Sequence, residues 1–381
     1  MKPYTDVFIK GFCWGFLFFA LHLYWLLDLL IIHSNSIRSI PFWLMSVSWF
    51  ACIVAIWLML QHYIHITKFA DVTLIIVSSV LHVVFFYFLT YFSLCMCGVL
   101  EGYPLCNPLV LLSCVPQLLW CLKYIGFLGM LLSIMLCISF ILKKYYLIGF
   151  ICMLPLLSGF IFYQKKQFTM QSCMFLKPYW YGSKNPMHVG YKIAHDVTQS
   201  ICKNHSITTV IMPESSFAWD ITKYQDFIPL MCEHAQEVSI MFGTQRSVLG
   251  QLYNSYVVIK DGTVVFSYDK QHLLPLMERI PSFLNKLTFG EILCKKNNTF
   301  SYGTTSNDII VINNIQFQLF VCSELLFEAK PVKGYPILFV CNDAWFRLSY
   351  IKQWILYFIV YFEALYDVPI LFCTVTGLTN L

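Results

Sequence analysis

Three groups of complementary chemistry stand at or just beyond the ends of apolar, β-branched stretches. Glu214 closes SITTVIMPE, Lys270 closes YNSYVVIKDGTVVFSYDK, and Cys322 lies in FVCSELLFE, two positions before Glu324. A carboxylate can take a thiol proton, and an ammonium can stabilise a thiolate or a developing oxyanion. The thiolate itself is a nucleophile, and a cysteine with a pKa of about 8.5 needs such help at neutral pH. Singly, each residue has a plainer reading: a solvated turn glutamate, a surface lysine, a core cysteine. Their combination carries the argument, because active sites in α/β domains gather where strands end.

The elements that must position them follow from hydrophobic pattern and turn chemistry. SITTVIMPE (206–214), QEVSIMFGTQ (236–245) and GYPILFVCND (334–343) read as buried strands. The stretch 253–270 reads as a hairpin around Asp261-Gly262, and 309–324 repeats the pattern around Asn313-Asn314. Stretches 187–204 and 220–235 read as helices between them. Strands alternating with helices, plus hairpins, predict a layered α/β domain over 166–381.

Upstream the composition changes. The chain is 58% hydrophobic and 12% charged, against about 25% charged in soluble domains. Four of its acidic residues (Asp6, Asp28, Asp71, Glu101) precede residue 165, and the other sixteen follow it. Five apolar stretches, 7–32, 42–63, 72–99, 119–142 and 146–164, are each long enough to span a bilayer. They predict a helical membrane domain over 1–165. The first is too long for a signal peptide and lacks a small-residue cleavage site. With the N-terminus inside, Lys2, Lys68, Lys143 and Lys144 face the cytoplasm, against Arg38, Lys165 and Lys166 outside. Five spans then place the α/β domain, and the loop at 100–118, outside the cytoplasm. That loop is Pro-rich and half apolar, which suits the membrane interface. His22 and Asp28 fall within the first stretch; Asp28 is near its end, within reach of water.

Nine of the sixteen cysteines precede residue 165, mostly inside apolar runs, and the other seven are scattered singly. Without a Cys-x-x-Cys pair of zinc spacing, neither a disulfide framework nor a metal site is expected. A net charge of +5 without a basic run beyond paired lysines gives nucleic-acid binding no support.

The stretches IMPESSFAWD, YNSYVVIKDGTVVFSYDKQHLLPLMERIP, FVCSELLFE and CNDAWFRLS, in this order, resemble the nitrilase (carbon–nitrogen hydrolase) superfamily. Within it they look most like the bacterial apolipoprotein N-acyltransferases. The family's Cys-Tyr-Glu stands here as Cys322-Ser323-Glu324, and its Asn-Asp-Ala-Trp-Phe stands intact at 342–346. Its lysine motif stands as Tyr268, Lys270, His272, Leu273, Leu274, Pro275, Leu276, Met277, Glu278, Arg279, Ile280 and Pro281. Leu276-Met277 replaces the Phe-Gly of a loop that in the family helps gate the pocket. The first apolar stretch and Gly102-Tyr103-Pro104 resemble membrane-part segments of the same family.

The resemblance implies a helical membrane bundle followed by a nitrilase-like αββα sandwich, shortened at both ends relative to the family. It implies Glu214 as general base, Lys270 as oxyanion stabiliser and Cys322 as nucleophile, with Glu278, Glu324, Trp345 and Asn342 in support. The implied reaction moves a fatty acyl group from a phospholipid, through a Cys322 thioester, to the N-terminal amine of a diacylglyceryl lipoprotein. It would occur at the periplasmic face of the bacterial inner membrane, in a monomer without a cofactor. Two other readings use the same residues: a relative that keeps the fold for membrane assembly or conjugation, and a hydrolase or amidase with the same triad. The apolar stretches weigh against a soluble amidase, and the intact Glu-Lys-Cys set weighs against a scaffold.

Overall fold

The computed structural model describes residues 2–28, 39–66, 71–92, 107–164, 172–176, 186–204, 206–217, 219–220, 227–232, 237–274, 278–279, 300–304, 308–327, 331–346 and 349–375. Two units divide the chain. One gathers Met1–Lys165, Pro281–Lys295 and Leu348–Asp367; the other gathers Lys166–Ile280, Lys296–Arg347 and Val368–Leu381.

The first unit begins with long apolar helices α1 (Lys2–His22), α2 (Ser39–Ile66), α3 (Asp71–Phe92) and α4 (Leu122–Leu142). Each contains a segment long and apolar enough to cross a membrane. Helices α1 and α2 approach closely because small residues face each other. A Cβ on Gly11 would meet the Ala55 Cα at 2.9 Å, and one on Gly15 would meet the Ala51 Cα at 3.0 Å. Small residues four apart are the pattern that lets membrane helices touch backbone to backbone. An aromatic core of Phe19, Phe50 and Phe85 with Val47 and Leu89 closes the next layer.

The fifth apolar stretch forms a shorter apolar helix, Tyr146–Phe162. It folds as α5 (Tyr146–Leu157), which contains Pro155, and the single turn α6 (Gly159–Phe162). A tight crossing lies within it: a Cβ on Gly159 would lie 1.7 Å from the Gln117 carbonyl oxygen. Among the described residues, the structure therefore has four helices of spanning length where the hydropathy pattern suggested five.

The described part of the 100–118 loop forms two 3-10 turns, Pro108–Cys114 and Pro116–Leu119, the first capped by Asn107 accepting from the Leu109 N–H at 2.9 Å. Leu109, Val110 and Leu119 are buried.

The second unit is built on two sheets. In the first, β1 (Cys173–Phe175), β2 (Thr209–Ile211) and β3 (Ser239–Val248) run parallel, and β4 (Gln251–Lys260) and β5 (Thr263–Asp269) continue antiparallel. In the second, β6 (Ile309–Ile312) pairs antiparallel with β7 (Ile315–Val321). Strands β8 (Ile337–Cys341) and β9 (Ile370–Thr374) then follow in parallel.

The sheets pack face to face through one apolar core, in which Ile211, Met241, Tyr256 and Val258 meet Phe317, Leu319, Leu338 and Val340. The outer face of the first sheet is covered by helix α7 (Pro186–Lys203), whose Ala194, Val197 and Ile201 repeat at helical spacing. Cys232, at the end of the short helix α8 (Phe227–Cys232), joins the same core. Helix α9 (Ser323–Phe327) follows β7 directly. Helix α10 (Ser349–Tyr366), which connects β8 to β9 in sequence, groups with the helical unit and packs on its 3-10 turns. The fold is thus a set of long apolar helices followed by a two-sheet α/β sandwich.

Both hairpins expected from sequence are present, and their turn residues adopt the left-handed conformation that such two-residue turns demand. Asp261 and Gly262 have φ of 50° and 74°, and Asn313 and Asn314 have 49° and 63°.

Candidate functional site

Glu214, Lys270 and Cys322 emerge from the ends of β2, β5 and β7, three residues or fewer past each strand. Strands β2 and β5 belong to one sheet and β7 to the other, so the face-to-face packing gathers the three at one end of the sandwich.

Each strand end is shaped by a close approach or an unusual backbone. After β2 the chain turns through Pro213, Glu214 and Ser215, the last with φ 54°. Gly243 of β3 lies against this turn: a Cβ there would meet the Ser215 nitrogen at 2.4 Å and the Glu214 Cα at 2.6 Å. Only glycine admits that contact. After β5, the Lys270 N–H donates to the Asn254 carbonyl at 2.8 Å, and the Lys270 carbonyl accepts from the Gly303 N–H at 2.9 Å. After β7, Cys322 takes φ 50°, a conformation that costs a residue with a Cβ about 1–2 kcal/mol. Its N–H donates to the Val340 carbonyl at 2.8 Å, which holds it in place. This sharp turn between strand and helix leaves Cys322 half-buried while its neighbours Val321 and Ser323 are buried.

The charged centre is closed. Lys270 is 1% exposed, Glu214 4% and Glu278 5%. The ammonium donates to Glu214 Oε1 at 3.1 Å and to the two Glu278 oxygens at 3.0 and 2.9 Å. Burial works to lower the Lys270 pKa, but Glu214, Glu278 and Cys322 together outweigh it and hold it well above the ordinary lysine value. Asn254 spans the two carboxylates, donating to Glu214 Oε1 at 2.9 Å and Glu278 Oε1 at 2.6 Å. Backbone donors complete the set: Asn342 to Glu214 Oε2 at 3.1 Å, and Leu274 to Glu278 Oε2 at 2.6 Å. A carboxylate oxygen of Glu214, Cys322 Sγ and Cys341 Sγ all lie within 4.8 Å of one another. Those three atoms could also close on a thiophilic ion.

Glu324 serves the neighbourhood from a different position. It is 1% exposed, and its Oε1 accepts from Tyr268 Oη at 2.8 Å, Gln271 N at 2.6 Å and His272 N at 3.3 Å. Its Oε2 accepts from Val321 N at 2.8 Å. Ser323 adds a bond from its hydroxyl to the His272 carbonyl at 2.8 Å. The lysine segment and the cysteine turn are therefore tied to each other through one carboxylate. Burial pushes the Glu324 pKa up, against the opposing pull of its N–H donors and of Lys270.

The structure thus brings together Glu214, Lys270, Cys322, Glu278 and the Asn342 backbone, with Glu324 two residues further along the cysteine turn. The Trp345 side chain and the Pro275–Met277 loop lie outside the described residues. Two members of the cluster were not singled out from sequence. Asn254 had a signal, a polar Asn-Ser pair inside an otherwise apolar strand. Cys341 had a weaker one, its place directly before Asn342-Asp343-Ala344-Trp345-Phe346.

No protein-family model matches the chain. Among curated proteins, it is similar to the apolipoprotein N-acyltransferase of Allorhizobium ampelinum, 28% identical over 151 residues, covering 36% of this chain and 28% of that one. The Bradyrhizobium diazoefficiens protein of the same name is 28% identical over 158 residues, covering 37% and 29%. That of Aquifex aeolicus is 29% identical over 157 residues, covering 37% and 32%. The matched segment thus spans less than a third of each relative's length.

Among solved structures, a carbon–nitrogen hydrolase from Helicobacter pylori aligns over 53% of this chain and 72% of its own, with 14% identity and a TM-score of 0.38. A Saccharomyces cerevisiae member of branch 10 of the nitrilase superfamily aligns over 55% and 78%, with 14% identity and a TM-score of 0.36. By these comparisons, the chain resembles the apolipoprotein N-acyltransferases.

Proposed function

We propose that this protein is a membrane-bound N-acyltransferase that carries its acyl group as a thioester on Cys322. The observation that carries the reading is the convergence of one half-exposed thiol, one buried carboxylate and one buried ammonium paired with two carboxylates at the end of the sandwich. The similarity to apolipoprotein N-acyltransferases supports the choice of reaction. Four helices of membrane-spanning character suit a protein whose substrates are lipids.

In the first half-reaction, Glu214 takes the Cys322 proton and the sulfur attacks an ester carbonyl of a phospholipid. The developing oxyanion is stabilised by the positive charge of Lys270. The intermediate collapses by breaking the ester C–O bond, and the departing alkoxide recovers the proton from Glu214. In the second, the N-terminal amine of a diacylglyceryl lipoprotein attacks the thioester carbonyl and Glu214 takes the amine proton. Amide formation releases the Cys322 sulfur, which is reprotonated. Glu278 keeps Lys270 charge-balanced while Glu214 cycles between its two forms. The site faces the periplasm and the protein works without a cofactor.

The test is incubation of the full chain in detergent or vesicles with phospholipid labelled in its acyl chains. A label on Cys322 that hydroxylamine removes is expected, and transfer to a diacylglyceryl peptide should discharge it. An accessible Cys322 that never acquires label would overturn the reading.

A further inference from the structure

We propose that Cys322 and Cys341 form an intramolecular dithiol that a peroxide converts into a disulfide, so that Cys341 acts as the resolving thiol for the reactive cysteine. The two sulfurs lie 3.5 Å apart, with the Cys341 thiol directed at Cys322 Sγ. The sheet creates this proximity. Strands β7 and β8 are parallel neighbours, Val321 pairs with Val340, and the Cys322 N–H bonds the Val340 carbonyl. Cys322, the first residue past β7, thus comes beside Cys341, the last residue of β8. Such strands run about 4.8 Å apart, within the usual Cα separation of disulfides. Closing the bond asks for side-chain rotation rather than movement of the sheet.

The exposures assign the order of events. Cys322 is half-buried and open to a small oxidant, whereas Cys341 is 1% exposed. The hydrogen bond to Cys322, burial and nearby acidic groups push the Cys341 pKa up, so it stays a thiol until its partner has reacted. The Cys322 sulfur attacks one oxygen of the peroxide and the O–O bond breaks. The product is a sulfenic acid, and the departing oxygen leaves as water with the proton that Glu214 took from Cys322. Cys341 sulfur then attacks Cys322 sulfur, the S–O bond breaks, and the Cys341 proton leaves with the hydroxyl as a second water. Two thiols are oxidised by two electrons in total, and one peroxide is reduced to two waters. A disulfide can be reduced again, whereas sulfinic acid on Cys322 would be permanent.

Loss of acyl transfer in the disulfide form rests on the proposed role of Cys322, but the cross-link itself does not, so its test is kept separate from acyl transfer. The full-length protein in detergent is treated with limiting hydrogen peroxide, free thiols are blocked, and peptides are mapped by mass spectrometry. A cross-linked pair containing Cys322 and Cys341, lighter by two hydrogens and dissolved by dithiothreitol, is expected. In Cys341→Ser the same treatment should drive Cys322 to sulfinic acid, and dithiothreitol should no longer restore thiol labelling. Recovery of Cys322 as sulfinic acid at the same rate in both proteins, without the cross-linked pair, would overturn the proposal. Peptide mapping of the unsubstituted chain keeps the question decidable even if Cys341→Ser folds poorly. If the cross-link forms but reduced protein never takes up an acyl label, the acyltransferase reading fails and the dithiol stands.

Discussion

Lysine–carboxylate pairs occur in both units of this molecule, and they differ in kind. In the helical unit, Lys123 meets Asp367 at 3.2 Å and Lys143 meets Asp71 at 3.4 Å, with side chains 24–64% exposed. In the α/β unit, Lys270 meets Glu214 at 3.1 Å and Glu278 at 2.9 Å, with side chains 1–6% exposed. The N···O distances are nearly the same, so distance does not separate the two kinds of pair. Desolvation does. The exposed pairs exchange water for a partner at almost no net gain. The buried lysine has no water to return to, and an uncompensated charge at its position would cost several kcal/mol. A chain keeps such a cluster when the charge itself has work to do.

The largest effect is expected for Lys270→Met. It leaves two buried carboxylates facing each other with one amide between them. Removing one partner of a buried pair costs about 3–5 kcal/mol, so a strong loss of thermal stability should accompany loss of thioester formation. The pH dependence has a definite sign. The folded Lys270 pKa is raised above the unfolded value. Its contribution is therefore complete below the ordinary lysine range and lost only as pH rises through the folded value. Differential scanning fluorimetry across pH should show a stability gap between wild type and Lys270→Met that does not shrink as pH rises from neutrality to 8. A gap that closes by pH 8 would mean that Lys270 is not held charged.

Gly243→Ala comes next and separates geometry from charge. It removes no charge and no hydrogen-bonding group, but its Cβ cannot fit against the Glu214–Ser215 backbone. Displacing Glu214 should lower acylation by about a hundredfold. The stability loss should stay in the range of overpacking, about 1–3 kcal/mol. Acylation at the wild-type rate would show that the position of Glu214 does not matter to the chemistry.

In stability, Asn254→Ala should fall between Lys270→Met and the surface. Each carboxylate loses one donor and keeps Lys270 and a backbone N–H. Loss of a buried bond to a charged group costs about 1.5–3 kcal/mol. Asn254→Asp should be worse than Asn254→Ala, because it adds a third carboxylate around one ammonium. The reverse order in unfolding midpoints would refute a bridging role for the amide.

What the sequence disclosed about this cluster, and what it hid, follows from how local each feature is. The turns at Asp261-Gly262 and Asn313-Asn314 were legible because the left-handed backbone they need is written in two adjacent residues. The turn at Leu249-Gly250 was not, since leucine at φ 49° contradicts its own preference and is tolerated where the side chain is wholly exposed. The fifth apolar stretch is a helix as its hydropathy suggests, but a shorter one, and the close crossing of Gly159 over Gln117 within it is a packing event that composition does not register. Glu324 was visible as a residue beside Cys322, but not as the group that fastens the lysine segment more than 50 positions away. Cys341 could not be paired with Cys322 without the parallel register of β7 and β8.

The smallest effect belongs to the exposed pairs. Lys143 and Asp71 are 44% and 64% exposed, so Lys143→Ala should cost about 0.5 kcal/mol or less. Whatever cost exists should vanish as salt rises, because exposed charges are screened within about 10 Å at 0.1 M ionic strength. The deficit of Lys270→Met should persist in the same titration, since no mobile ion reaches a side chain that is 1% exposed. The pair of titrations, run on both variants in the same detergent, measures burial directly. If both deficits responded to salt alike, the centre of the α/β unit would be open to solvent ions, and Lys270 would be one more surface lysine.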